Sequence, residues 1–196
     1  ILTYNYIIML IHPQIDPIAI QLGPLKLHWY GLMYLFAFLS FIQLGKRQLK
    51  KTWWSNLNEN ILDDTFFYGA IGVILGGRLG YVLFYQPVYF LSNLDQVFAF
   101  WQGGMSFHGG FLGVLISLIF ITKKHHVSWL KLTDFIAPLI PLGLGFGRIG
   151  NFINQELWGR PTDLAWGMIF PITDKIARHP SQLYQALFEG LFLFLI

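Results

Sequence analysis

Between Gly147 and Arg160 the chain reads Gly147-Arg148-Ile149-Gly150-Asn151-Phe152-Ile153-Asn154-Gln155-Glu156-Leu157-Trp158-Gly159-Arg160. An arginine, two asparagines and a glutamate thus follow an apolar, glycine-rich run. An arginine at membrane depth is costly and is rarely kept without a polar partner or a task. A phosphate suits it, because guanidinium binds phosphate through two parallel N–H bonds. If a helix runs through Asn151, Arg148 and Asn151 share a face and Asn154 continues the stripe. Such a stripe could hold a phosphate between the guanidinium and two neutral amides. Glu156 could pair with an arginine or orient a substrate hydroxyl, and a salt bridge to Arg160 fits the spacing equally well.

Other polar residues interrupt apolar runs. Arg78 sits in Gly76-Gly77-Arg78-Leu79-Gly80-Tyr81, and His108 in Met105-Ser106-Phe107-His108-Gly109-Gly110. Glu189 lies four positions from Gln185. Each alone could be an internal hydrogen bond that orients helices. Together, most of them beside glycines, they favour a polar cavity. His108 can exchange a proton near neutral pH, which makes it a candidate base; a histidine bonded to a backbone carbonyl is its other reading. Tyr30 stands at one end of an apolar run, where tyrosines commonly mark a membrane interface. The doublet His125-His126 lies among lysines and reads as solvated.

Of the 196 residues, 55% are hydrophobic and 12% charged, against about 25% charged in a soluble domain. Mean hydropathy is +0.52. These values indicate an integral membrane protein. The absence of cysteine excludes disulfides, thiolate metal sites and an enzyme-borne thiol nucleophile. No HxxxH or HExxH pattern suggests a metal. A net charge of +3 and a pI near 9.1 suit a protein facing anionic lipid, not nucleic acid.

The polar residues must be positioned by helices that cross a bilayer, each of roughly 20 apolar residues. Candidates fall at about 29–45, 65–85, 104–122 and 134–153, with a fifth beginning near Ser181. Loop 46–64 carries Lys46, Arg47, Lys50 and Lys51, and loop 123–133 carries Lys123, Lys124 and Lys131. Loop 86–103 carries neither Lys nor Arg. The basic loops are expected on the cytoplasmic side, which places the N-terminus and the region 154–180 outside. Residues 15–28, with two prolines and a glycine, are expected to form an extended or interfacial arm. Leu94–Trp101 reads as a short interfacial segment, and 154–180 as a small external cap. The expected fold is an all-α polytopic membrane protein, with residues 1–196 as one integral membrane domain. There is no internal repeat of the kind found in many transporters, and no cleavable signal peptide is evident. Met9 is a candidate start. The end of the chain within Leu191–Ile196 is expected to be a C-terminal truncation.

The chain resembles the bacterial prolipoprotein diacylglyceryl transferases. The matching runs are Leu25–Tyr34, Gly76–Tyr81, Met105–Gly110, Gly147–Gly159 and Arg178–Tyr184, in the family's order. The resemblance implies a seven-helix enzyme of the bacterial inner membrane, of which this stretch carries about five helices. It implies transfer of a diacylglyceryl group from phosphatidylglycerol to the lipobox cysteine of prolipoproteins, with no metal or cofactor. By position, His108, Arg148, Tyr30 and Glu156 match residues given catalytic roles. Arg148, Asn151, Asn154, Gly159 and Arg78 match residues of the phosphatidylglycerol site. The family also has an important arginine and final helices further on, so this stretch alone is expected to be inactive. Two other classes fit the residues without the resemblance: a transporter or flippase for an anionic lipid, and a scaffold in which the polar groups only tie helices together.

Overall fold

The structure, a computed structural model, describes residues 10–99 and 103–196. Met9, the candidate start, and the end of the Leu94–Trp101 segment lie outside the described residues. The chain is mostly helical. Among the described residues five short strands accompany the helices, which an all-α description leaves out. Among the described residues, three helical stretches are long and apolar enough to cross a membrane: Glu59–Phe84, Phe107–His125 and Trp129–Ile153. The expected first span is a helix, α1 (Trp29–Leu49), but it falls short of that apolar standard. Its Gln43, Lys46, Arg47 and Gln48, together with the aromatic hydroxyls of Tyr30 and Tyr34, dilute the apolar run.

Two compact units divide the chain: residues 42–136 form one, and residues up to 41 with 137–196 form the other. The first unit is built on α2 (Glu59–Phe84) and α4 (Phe107–His125), with α3 (Pro87–Ser92) between them and α5 (Trp129–Ile136) after them. Asn58 caps α2 by accepting the Ile61 N–H at 3.0 Å, and Ser106 caps α4 by accepting the Gly109 N–H at 3.2 Å. These caps satisfy amide donors that a helix start leaves open. The two helices meet along a seam of small residues. A methyl group on Gly80 would stand 2.8 Å from the Gly109 Cα, and one on Gly72 would stand 2.5 Å from the Gly113 carbonyl oxygen. The backbones therefore touch, as they do in membrane helix pairs joined through glycine every fourth residue. Ser117 adds a hydroxyl bond across the seam to the Tyr68 carbonyl at 2.7 Å. Away from the seam Leu75, Leu79, Phe111, Leu112 and Ile116 are exposed, as lipid-facing side chains should be.

The second unit holds α6 (Ile140–Ile153), α7 (Ser181–Gln185) and a π-helical continuation over Ala186–Phe192 that ends in α8 (Leu193–Leu195). Gly145 and Gly190 make the crossing point of α6 and the π-helical stretch, because a methyl group on Gly190 would lie 2.6 Å from the Gly145 Cα. Strands β2 (Ile18–Leu22) and β3 (Leu25–His28) form an antiparallel hairpin. Gly23, at φ +60, takes the corner that precedes Pro24. The region expected to be an extended arm is thus a hairpin, and its Leu22 and Leu25 are exposed. β1 (Leu10–Ile11) runs parallel to β4 (Met168–Ile169), which pairs antiparallel with β5 (Ala177–Arg178). The small sheet β1-β4-β5 organises the region 154–180.

The seam makes a paired prediction. Gly113→Ala places a methyl against the Gly72 backbone and should cost about 1–3 kcal/mol by overpacking. Gly69→Ala meets nothing within 4 Å and should be neutral or stabilise by up to about 1 kcal/mol, since alanine favours the helix. Thermal unfolding in detergent, followed by loss of monodisperse protein, measures both.

Candidate functional site

The expected site residues fall into the two units. Tyr30, Arg148, Asn151, Asn154, Glu156 and Gly159 belong to the unit of α6, and Arg78 and His108 to the unit of α2 and α4.

In the first group, α6 carries Arg148 and Asn151 one turn apart on one face, and ends at Ile153 with Asn154 as its last cap residue. Gln155 then enters the left-handed region at φ +57, and Leu157 does the same at φ +54. Side chains other than glycine rarely adopt that conformation. The turn closes the end of the helix: the Asn154, Gln155 and Glu156 amides donate to the carbonyls of Gly150, Phe152 and Asn151 at 3.0, 3.0 and 2.8 Å. It also reverses the chain, so that Glu156 points back at the helix. One carboxylate oxygen accepts Asn151 Nδ2 at 3.2 Å and the other accepts Asn154 Nδ2 at 3.3 Å. Both asparagines thus serve the glutamate. The arginine partners that spacing offered for Glu156 do not receive it, because the left-handed turn at Gln155 takes Glu156 and Arg160 off any common helix face.

Arg148 is half-buried and forms no hydrogen bond or ion pair among the described residues. Tyr30 lies beside this cluster: its hydroxyl is within electrostatic reach of Asn151 and Glu156. A methyl on Gly150 would come 2.8 Å from the Tyr30 ring, so glycine is what lets the ring sit there. Gly159 donates its N–H to the His179 carbonyl at 2.9 Å. A side chain there would strike His179, so the residue permits close chain approach and its amide is already occupied.

Gln182 has no role assigned from sequence, yet it is fully buried and donates Nε2 to the Glu156 carbonyl at 2.5 Å. Its only signal in the sequence is membership of the Arg178–Tyr184 run. The side-chain oxygens of Asn154, Gln155 and Gln182 are buried without a donor. Buried acceptors without donors call for a hydroxyl or N–H partner. In the adjoining region Arg178 lies over the Trp158 ring at 4.5 Å and donates to Asp174 at 2.6 Å. The hydrogen bond from that guanidinium holds the Asp174 carboxyl below its ordinary range.

Arg78 is a different kind of arginine. It is 2% exposed, and its donors go to backbone carbonyls: Nε to Val97 at 2.8 Å, Nη1 to Gly103 at 2.5 Å and Gly104 at 3.3 Å, and Nη2 to Gln96 at 2.7 Å. Phe90 packs on the guanidinium, with its ring centre 5.2 Å away. Four of its five N–H bonds are committed. This is the bracing role, and it ties residues 96–97 and 103–104 to α2. An open hollow of about 180 Å³ borders the same guanidinium, lined also by Tyr81, Gln86 and Tyr89. His108 is the second residue of α4 and exposed, with its ring edge-on to Phe107 at 5.7 Å. Among the described residues it has no hydrogen-bond partner.

Among the described residues, three helical stretches long and apolar enough to cross a bilayer define a helical multi-pass membrane protein. The family model for prolipoprotein diacylglyceryl transferases matches residues 17–196. Proteins called phosphatidylglycerol–prolipoprotein diacylglyceryl transferase from Nitrosospira multiformis, Nitrosomonas europaea and Dechloromonas aromatica are 62%, 61% and 60% identical to it. The matches cover 95%, 95% and 96% of this chain and 64%, 67% and 72% of those proteins. The chain belongs to the prolipoprotein diacylglyceryl transferase family. It spans 64% of the length of the Nitrosospira relative.

The two arginines predict opposite responses to the same change. Arg78→Lys strands buried carbonyls that a single ammonium cannot reach together, and should destabilise by about 3 kcal/mol. Arg148→Lys breaks no bond among the described residues and should shift stability by no more than about 0.5 kcal/mol. Thermal melts of the two variants in one detergent compare them directly.

Proposed function

We propose that the protein transfers a diacylglyceryl group from phosphatidylglycerol to the lipobox cysteine thiol of a prolipoprotein, the first step of lipoprotein maturation. The observation that carries this reading is Arg148, unpaired in an apolar helix one turn before the Asn151–Asn154–Glu156 cluster, in a chain of this family. The substrate cysteine brings the nucleophile, which agrees with a chain that has no cysteine of its own. Its sulfur bonds to the glycerol carbon that carries the phosphate, the carbon–oxygen bond breaks, and glycerol phosphate leaves with the electron pair.

A thiol of pKa about 8.5 is only a few per cent ionised at neutral pH. His108 acts as the base that accepts its proton. Arg148 binds the phosphate and stabilises the charge that gathers on it as the bond breaks. Asn151, Asn154 and Glu156 orient the head group, Tyr30 holds the glycerol hydroxyl or the peptide, and Gly159 keeps the wall of the site close. Arg78 braces the approach to α4 and, through its remaining N–H, offers a second anion contact. No metal or cofactor takes part.

The finer architecture belongs to the same proposal. Residues 1–196 lie in one membrane domain of a seven-helix protein of the bacterial inner membrane, and α1 and the helix beginning at Ser181 are also spans. The N-terminus and the cap 154–180 face outward, and the hairpin 18–28 rests at the interface. Lysines and arginines at 46–51 and 123–131 support this orientation, since such residues collect on the cytoplasmic side.

Incubation of the full-length protein with phosphatidylglycerol and a lipobox peptide should add the mass of one diacylglyceryl group to the peptide. Arg148→Lys should lower turnover by about 10²–10³-fold, the usual loss for a transition-state charge contact. His108→Gln should lower it by about 10²–10⁴-fold. An unchanged peptide mass with folded, lipid-binding protein overturns the transferase reading in favour of an anionic-lipid transporter.

A further inference from the structure

His12 lies in the N-terminal region, and nothing above gives it a function. It is 1% exposed. Its ring sits against Phe152 and Phe170, with centroids 4.6 and 5.5 Å away. Nε2 is 2.8 Å from the Phe152 carbonyl oxygen, and the Gln14 N–H donates to Nδ1 at 3.1 Å. A carbonyl can only accept and an N–H can only donate. The partners therefore assign the neutral ring with its proton on Nε2. Burial lowers the pKa of His12 below its ordinary 6.5, which favours the same form. The His12 backbone N–H also donates to Ile169 at 2.9 Å, so one residue joins the N-terminal strand, β4 and the end of α6.

The Phe152 carbonyl is the one that matters. It accepts the Gln155 N–H at 3.0 Å, the inner of the two bonds that close the turn at left-handed Gln155; the outer runs from the Glu156 N–H to the Asn151 carbonyl at 2.8 Å. That turn sends Glu156 back to Asn151 and Asn154. The carbonyl is thus shared between the turn and a histidine 140 residues away in sequence. The Phe152 carbonyl belongs to the peptide that joins Phe152 to Ile153, so any rotation of that plane is passed on to Asn154 and the turn that follows.

We propose that His12 is a positioning residue for the Asn151–Asn154–Glu156 cluster, holding the Phe152 carbonyl so that the left-handed turn at Gln155 delivers the Glu156 carboxylate to the two amides. The functional part of this inference rests on the transferase reading, and its structural part does not.

Two variants separate the hydrogen bond from the packing. His12→Phe keeps an aromatic ring between Phe152 and Phe170 and removes both ring bonds. His12→Gln replaces the far nitrogen with an amide N–H that can still reach the carbonyl. Amide hydrogen exchange of the full-length protein reads the turn directly. His12→Phe should speed exchange at Asn154, Gln155 and Glu156 about tenfold or more, the equivalent of one lost hydrogen bond, and leave 143–149 of α6 unchanged. In the transfer assay, it should raise KM for phosphatidylglycerol by about tenfold with KM for the lipobox peptide unchanged. His12→Gln should return exchange and KM to within about twofold of wild type. If His12→Phe does not fold, His12→Asn replaces it, because its shorter amide can accept from Gln14 but cannot reach Phe152.

Wild-type exchange at 154–156 in the disrupted variant overturns the proposal. So does acceleration spread evenly along α6, which would make His12 a packing residue only, or failure of the glutamine to rescue. If the wild-type protein shows no transfer at all, the transferase reading falls, and the exchange pattern alone decides the positioning role.

Discussion

A guanidinium surrounded by hydrocarbon has to be given hydrogen-bond acceptors, because neither lipid chains nor apolar side chains supply any. Much of this molecule follows from how that demand is met at two places. At Arg78 the chain meets it internally. Carbonyls of residues 96, 97, 103 and 104 converge on the side chain, and a connecting segment that would otherwise carry open carbonyls becomes part of the first unit. At Arg148 the described chain does not meet it, and the nearby amides are turned to a carboxylate instead. A charge left open in this way is a cost to folding unless a ligand shares it.

The carboxylate explains why the amides are not simply spare donors. Asn151 and Asn154 each spend an N–H on Glu156, which fixes their planes and leaves each amide with a second hydrogen. The arrangement holds three polar side chains rigid at the end of a helix. It requires backbone at Gln155 and Leu157 in a conformation that costs energy for residues with a Cβ. Glycine at either position would be easier to fold and also easier to move.

Much of this organisation is legible in the sequence because it is local. The apolar lengths of α2, α4 and the 129–153 stretch announce spans, and glycines spaced by four at 72, 76 and 80 announce a tight helix contact. The run 147–159 announces a site through its unusual mixture of residue types. Where reasoning from spacing fails, the reason is also physical. The i+4 rule offered Arg160 to Glu156 and assumed a helix that stops at Ile153. The hairpin at 18–28 was readable only as something extended, since strand pairing is not visible in a single short segment. For Gln182 and His12 no local signal points to a partner. Their partners, Glu156 and Phe152, lie 26 and 140 residues away, and no periodicity connects them.

The pairing of β1 with β4 and the contact of His12 with Phe152 also set an order of assembly. Strand β1 leaves the ribosome well before its partners, Met168 and Ile169. At synthesis rates of about 5–20 residues per second, a separation of 140 residues keeps His12 waiting for roughly 7–30 s. During that interval α2 and α4 can enter the bilayer and close their glycine seam through contacts nearer in sequence. The turn that shapes Glu156 is therefore among the last parts of this stretch to mature, and the polar cluster does not exist while the helices around it are still being inserted.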